Sequence, residues 1–280
     1  MAKYKSKLPG LPKRGYFKTG DKGDNVKLLQ KALNWANQGR IVATLKADGI
    51  VGPKTISAVT FFQEIQRLTI DGEFGAKSLA KIKSMDLTGA GKAINFAVSV
   101  AKDNRFTYGA GERAHRSGCF FCQTNTGPRM KKKEKKGEPH VVKDSHGNGH
   151  TYERTYCCNT LITAAYAHGA KDSTIYKICN SGKCCGMDPK DWLKSSGFKK
   201  VGTCKNVKFD SLKAGDVILS DSSNGGKYHH VWMCIGGNRY VEASGNNWSA
   251  ESIAVKSGAK AYYNKYYAKY NGTTVVRYTK

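Results

Sequence analysis

Two adjacent cysteines, Cys157 and Cys158, open a stretch whose apolar residues recur at helical spacing. Leu161, Ala164, Ala165 and His168 fall on one face, and Gly169 is a natural stop just past the last turn. With Thr155 as the N-cap, both thiols lie in the first turn. Backbone N–H groups and the positive end of the helix dipole there favour the thiolate, which is the nucleophilic form. Taken alone, the stretch also suits a packed core helix carrying two small buried thiols. A cysteine nucleophile needs an imidazole within hydrogen-bond reach and a polar group to orient it. His230 heads an apolar run of period two, and Glu242 lies twelve residues on, in the next such run. Gly236-Gly237-Asn238 between them reads as a hairpin turn, and the even spacing lets both side chains share a face. The expected constellation is Cys158 as nucleophile, His230 as base and acid, and Glu242 as the orienting carboxylate. The backbone N–H of Cys158 and the Tyr108 hydroxyl are expected at the oxyanion. Cys157, His229, Asn246 and Asn247 compete for these roles, whereas His115, His140 and His168 read as structural.

The elements that must position these groups are legible in outline. Residues 92–104 form an amphipathic helix with Ile94, Ala97, Val98 and Ala101 on one side, and Arg105-Phe106-Thr107-Tyr108-Gly109-Ala110-Gly111 follows as a strand edge and turn. Asp188-Pro189-Lys190-Asp191-Trp192-Leu193 is a short capped helix. From Leu212 the period switches to two, giving a strand that ends near Leu219, the hairpin, and a last strand over 273–278 behind a tyrosine-rich segment. Residues 112–155 form a polar excursion without periodicity. Within it Cys119, Cys122, His146 and His150 have ligand types that zinc accepts, and Cys179, Cys184 and Cys185 follow further on. The long gap between the pairs departs from zinc-finger spacing, so plain loop residues are the leading reading, no metal site is assigned and no cofactor is expected, while a structural metal and a local disulfide stay open.

The first ninety residues have a different texture. Residues 1–14 are basic and broken by Pro9 and Pro12, a leader rather than part of a core. Val26, Leu29 and Leu33 then recur on one helical face, capped by Asp24 or Asn25. Leu45-Lys46-Ala47-Asp48-Gly49-Ile50-Val51-Gly52-Pro53-Lys54-Thr55 is echoed by Leu68-Thr69-Ile70-Asp71-Gly72-Glu73-Phe74-Gly75-Ala76-Lys77-Ser78. Each copy reads as an Asp-Gly turn leading into a helix, with Pro53 suited to the first helical position. A small three-helix bundle with a binding or spacer role follows.

Across all 280 residues, 47 Lys+Arg against 21 Asp+Glu leave a formal charge of +26, a surface that attracts polyanions. Nucleic acid, anionic wall polymers and membrane surfaces all meet that description. No reading helix and no zinc-finger spacing supports nucleic acid, and no apolar stretch approaches a membrane span, so neither nucleic-acid binding nor membrane insertion is expected. Met1 to Gly10 is basic with no apolar run behind it, so no secretory signal is read. The nine cysteines are an odd count, which favours free thiols over a dense disulfide framework.

Two resemblances attach to these motifs. Gly23-Asp24-Asn25-Val26-Lys27-Leu28-Leu29-Gln30, Asp48-Gly49-Ile50-Val51-Gly52-Pro53-Lys54-Thr55 and Phe61-Phe62-Gln63 resemble the three-helix peptidoglycan-binding domain found at the ends of bacterial and phage wall hydrolases. Phe106-Thr107-Tyr108-Gly109-Ala110-Gly111, Cys157-Cys158-Asn159-Thr160-Leu161-Ile162, residues 212–219 and His230-Val231-Trp232-Met233-Cys234-Ile235-Gly236 resemble the NlpC-type and CHAP-type papain-like peptidoglycan amidases and peptidases. Cys157 stands where that family has Asp, Asn159-Thr160 replaces Ser-Gly, and the 112–155 excursion splits two motifs that are usually close. The resemblances imply an α+β chain: a leader over 1–14, a peptidoglycan-binding bundle over 15–86, a linker over 87–91, and a papain-like cysteine hydrolase with an antiparallel sheet over 92–280. They imply cleavage of an amide in bacterial peptidoglycan by a monomer, made in the host cytoplasm and released to the wall as phage endolysins are. Its expected partners are peptidoglycan and anionic wall polymers. The alternative is a non-catalytic wall-binding protein that keeps the fold.

Overall fold

The computed structural model describes residues 2–41, 44–103, 106–108, 118–119, 124–125, 140–143, 149–152, 154–180, 189–195, 197–220, 230–244 and 253–280. The chain is a mixture of helix and sheet in two compact units, Met1–Thr88 and Gly89–Lys280.

The first unit runs β1 (Ala2–Lys3), β2 (Tyr16–Phe17), α1 (Asp24–Ala36), α2 (Pro53–Ile65), β3 (Phe74–Gly75), α3 (Ala76–Ser84) and β4 (Asp86–Leu87). Val26, Leu29, Leu33, Val59, Phe62, Phe74 and Ile82 form its core. Pro53 takes the start of α2, where its missing N–H costs nothing. Gly23, rather than Asp24 or Asn25, caps α1, and the Asn25 side chain instead accepts from the Gly10 N–H at 2.9 Å. The leader is built into the fold. Tyr4, Leu8 and Leu11 pack on the core, the Tyr4 ring lies 5.4 Å from that of Trp35, and β1 pairs antiparallel with β4. Three apolar side chains at that spacing outweigh the surrounding lysines, whose charged ends stay in water.

The repeated Asp-Gly turns are held by a repeated clamp. The Gln30 amide accepts from Gly49 N at 2.9 Å and donates to Asp48 Oδ1 at 2.8 Å and to the Ile50 carbonyl at 3.0 Å. Gln63 does the same one helix later, accepting from Gly72 N at 3.0 Å and donating to Asp71 Oδ1 at 2.6 Å and the Glu73 carbonyl at 3.0 Å. Gly49 and Gly72 supply the left-handed φ (79° and 74°) that each turn requires. Both glutamines are buried. Gln63→Ala strands an N–H and a carbonyl away from water, so a loss of about 1–3 kcal/mol is expected, read as a lower denaturation midpoint.

The second unit opens with α4 (Gly89–Ala101). The expected linker over 87–91 therefore divides between β4 and this helix. Gly89 is glycine because a Cβ there would stand 2.5 Å from the Tyr278 ring. Then come β5 (Phe106–Tyr108), β6 (Gly118–Cys119), β7 (Thr124–Asn125), β8 (His140–Lys143), β9 (Gly149–Tyr152) and β10 (Arg154–Tyr156). The excursion over 112–155 is thus not without structure. It contains two antiparallel pairs, β6 with β7 and β8 with β9, and ends in β10, which runs parallel to β5.

Helix α5 (Cys158–Ala164) continues into a π-helical turn, Ala165–Gly169. Gly169 does close the helix, and a Cβ there would meet the Lys92 carbonyl at 2.7 Å, so α4 packs directly on this turn. Next are α6 (Ser173–Asn180), α7 (Pro189–Leu193), β11 (Phe198–Thr203), β12 (Val217–Ser220), β13 (His230–Gly236), β14 (Arg239–Ala243), β15 (Ile253–Ser257), α8 (Ala259–Tyr266) and β16 (Thr273–Tyr278). Six strands form one antiparallel sheet in the order β11-β16-β12-β13-β14-β15. The tyrosine-rich segment is α8. Its Tyr263, with the following Tyr267, packs on Ile218, Trp232, Cys234, Tyr240 and Val275 of one sheet face. Buried Asp216 fixes the entry to β12, accepting from Arg277 Nε at 2.7 Å and from Lys213 N at 2.8 Å.

Candidate active site

The hairpin forms as its sequence demands. Gly237 and Asn238 both take left-handed φ, 61° and 58°, the pairing that a two-residue turn needs to match strand twist. The register places Glu242 opposite Trp232, so His230 is its diagonal neighbour on the same face. A glutamate side chain spans that diagonal. His230 Nε2 and Glu242 Oε2 lie 2.7 Å apart.

Glu242 is 2% exposed, and both of its oxygens are engaged. Oε1 accepts from Ser244 Oγ at 2.7 Å and from Lys256 Nζ at 2.8 Å. Oε2 receives His230 and the Tyr262 hydroxyl, the latter at 3.2 Å. Burial on its own would raise this carboxyl. The hydrogen bond and charge of His230, followed by those of Lys256, outweigh it and bring the group down to about 2. A carboxylate only accepts, so the shared proton is carried on His230 Nε2. The lone pair of the neutral ring is then at Nδ1, the nitrogen available to a reacting group.

The lowered value has a consequence for stability. A carboxyl whose folded pKa is depressed stabilises the fold above its unfolded value, near 4.5, and loses that contribution as pH falls toward 2. Acid unfolding of Glu242→Gln is therefore expected to be less steep across that window than that of the parent, as followed by circular dichroism.

Cys158 is the first residue of α5, but the N-cap is Cys157, not Thr155. The Cys157 Sγ and Thr160 Oγ1 are hydrogen-bonded at 2.8 Å, so Cys157 is tied to the helix start and Cys158 alone takes the first helical position. Both are buried thiols. Helix α5 packs on β13 and β14, the strands that carry His230 and Glu242. Tyr267 stands behind Tyr262. Its hydroxyl donates to that of Tyr262 at 3.1 Å. Its pKa is raised by burial, then by Tyr262, and further by the charges of Glu242 and Cys158.

His230 and Glu242 are thus in direct contact, and Cys158 begins the helix packed on their strands. Tyr108 pairs through its backbone with Tyr156, two residues ahead of Cys158, and its hydroxyl lies outside the described residues. His115, Cys122, His146, Cys184, Cys185, His229, Asn246 and Asn247, with the side chains of Cys119, His140 and His150, also lie outside them. His168 stacks on Phe96, with ring centroids 6.0 Å apart. Sequence reasoning missed Lys256, Tyr262, Ser244 and Tyr267. The spacing of Tyr262, Tyr263, Tyr266 and Tyr267 was the available signal, since tyrosines at i, i+1, i+4 and i+5 define one helical face.

The helical first unit with its doubled turn has the build of a wall-binding module. In agreement, the family model of the peptidoglycan binding domain matches residues 22–82. The chain therefore carries a peptidoglycan-binding domain, which supports an association with the cell wall. No curated protein matches the chain.

Proposed function

We propose that the second unit is a papain-like cysteine hydrolase that cleaves an amide bond of peptidoglycan, as an N-acetylmuramoyl-L-alanine amidase or a stem-peptide or cross-bridge endopeptidase. The observation that carries this reading is the 2.7 Å His230–Glu242 pair on a hairpin against which a cysteine-headed helix packs. Its setting, a chain with a peptidoglycan-binding domain, supplies the substrate class.

The mechanism requires the Cys158 thiol to meet His230 Nδ1 at the end of the sheet where β12 stops at Ser220 and β13 starts. The thiol proton passes to Nδ1, and the thiolate attacks the amide carbonyl carbon. The tetrahedral oxyanion is held by the Cys158 backbone N–H, with the Tyr108 hydroxyl as the second donor. The imidazolium returns its proton to the leaving nitrogen, the C–N bond breaks, and a thioester remains. Water, deprotonated by Nδ1, hydrolyses it to a carboxylate and restores the thiol. Glu242 holds the ring orientation and stabilises the imidazolium throughout.

The peptidoglycan-binding domain raises the local substrate concentration, and the charge of +26 adds attraction to anionic wall polymers. An endolysin working as a monomer, released to the wall from the cell that made it, fits this pairing. The test is mass spectrometry of soluble fragments from purified peptidoglycan. New N-termini on the first alanine of the stem identify an amidase, and new N-termini within the stem or bridge identify a peptidase. Fragments that differ only at glycosidic bonds, or none at all, would overturn the proposal.

A further inference from the structure

Glu242 is bound more completely than orienting one imidazole requires. A carboxylate offers about four lone-pair sites, and here each oxygen has two donors: Ser244 and Lys256 on Oε1, His230 and Tyr262 on Oε2. The donors come from different elements. Lys256 reaches over from β15, where its register partner is Tyr240, and its ammonium also lies 3.3 Å from Ser244 Oγ. Tyr262 comes from α8. Its ring is stacked on Tyr240 at 4.7 Å and 13°, and its hydroxyl is itself engaged by Tyr267.

We propose that Lys256 and Tyr262 are positioning residues for the His230 imidazole, acting through Glu242. This extends the cysteine-hydrolase reading and rests on it. With all four sites occupied, the carboxylate cannot rotate about its last bond or take up a proton without breaking a hydrogen bond. Oε2 therefore stays aimed at His230 Nε2 and keeps the ring proton there, leaving the lone pair on Nδ1. Lys256 supplies the only positive charge other than His230 among the described groups around Glu242. These groups are His230 on β13, Tyr240 on β14, Ser244 after it, Lys256 on β15, Tyr262 on α8 and Tyr267 behind it; the α5 thiol of Cys158 acts on Tyr267 in turn. Lys256 is 39% exposed, so its charge can be removed without opening a core.

Lys256→Met removes the charge and donor at similar length, Lys256→Arg restores both, and Tyr262→Phe removes only a hydroxyl. On a soluble peptidoglycan fragment, Lys256→Met is expected to lower kcat about ten-fold with KM little changed, and Tyr262→Phe to lower it a few-fold. Loss of a nearby positive charge favours the imidazolium, so the His230-dependent limb of the pH profile should move upward by roughly half a pH unit in Lys256→Met. Lys256→Arg should restore both. A merely structural role would lower the melting temperature and activity together, leave the pH limb in place and gain nothing from arginine; that pattern would overturn the proposal. So would wild-type kcat and an unshifted limb in Lys256→Met.

The His230 ring is read separately by nitrogen NMR of histidine-labelled protein, which needs no turnover. An Nε2–H tautomer in wild type and an upward-shifted titration in Lys256→Met support the positioning role even if wild-type protein cleaves nothing. The latter result would defeat the hydrolase reading alone. An Nδ1–H tautomer in wild type would defeat the positioning role directly.

Discussion

Cys158→Ser is expected to stop fragment release from peptidoglycan, a loss of roughly ten-thousand-fold or more, while wall binding is retained. A serine hydroxyl at this position is nearly isosteric but far harder to ionise, and the neighbouring Cys157 thiol is held by Thr160 Oγ1. Binding persists because the peptidoglycan-binding domain belongs to the other compact unit. Cys157→Ser is the matched control. Cys157 is the N-cap residue, its side chain bonds the Thr160 hydroxyl, and serine both keeps that bond and is favoured at an N-cap, so activity near that of the parent is expected. Both variants are scored by soluble-fragment release and by pull-down on purified walls. Equal lysis by Cys158→Ser and the parent would leave the non-catalytic wall-binding alternative standing.

Glu242→Gln is expected to lower activity by about a hundred-fold or more at neutral pH, through the tautomer rather than the fold. Lys256 is a pure donor and selects the amide oxygen of the new side chain. The amide NH2 then faces His230, whose Nε2 must become the acceptor. The ring proton moves to Nδ1, where it blocks the transfer from the thiol. Steady-state kinetics should show the loss in kcat, and circular dichroism should show an unchanged fold near neutral pH. Wild-type kcat in the Glu242→Gln protein would show that the orienting carboxylate is dispensable.

What was legible in the sequence was legible for local reasons. The His230–Glu242 pair follows from two period-two runs, a two-residue turn and an even separation, so its face could be read without the structure. The doubled Asp-Gly turns were likewise visible as a repeat. The clamps that hold them were not, because Gln30 and Gln63 lie on helices 18 and 8 residues away from the aspartates they grip. Lys256 and Tyr262 were hidden for the same reason. Their approach to Glu242 depends on the β14–β15 register and on α8 folding back over the sheet, long-range outcomes that no local pattern announces. Charge and prolines marked residues 1–14 as a leader, yet the apolar surface of Tyr4, Leu8 and Leu11 decided their place. A linker was expected over 87–91. Gly89 is instead explained by a ring packed where a side chain would be.

Cys158, activated by His230, is the proposed nucleophile. The most direct test is alkylation with iodoacetamide, following activity and peptide-mapped labelling of each cysteine on the same samples. Activity falling in step with carbamidomethylation of Cys158, and slower labelling of Cys158 in His230→Ala, is the predicted result. Full activity after Cys158 has been quantitatively labelled, or a loss of activity that tracks a different cysteine, would contradict it.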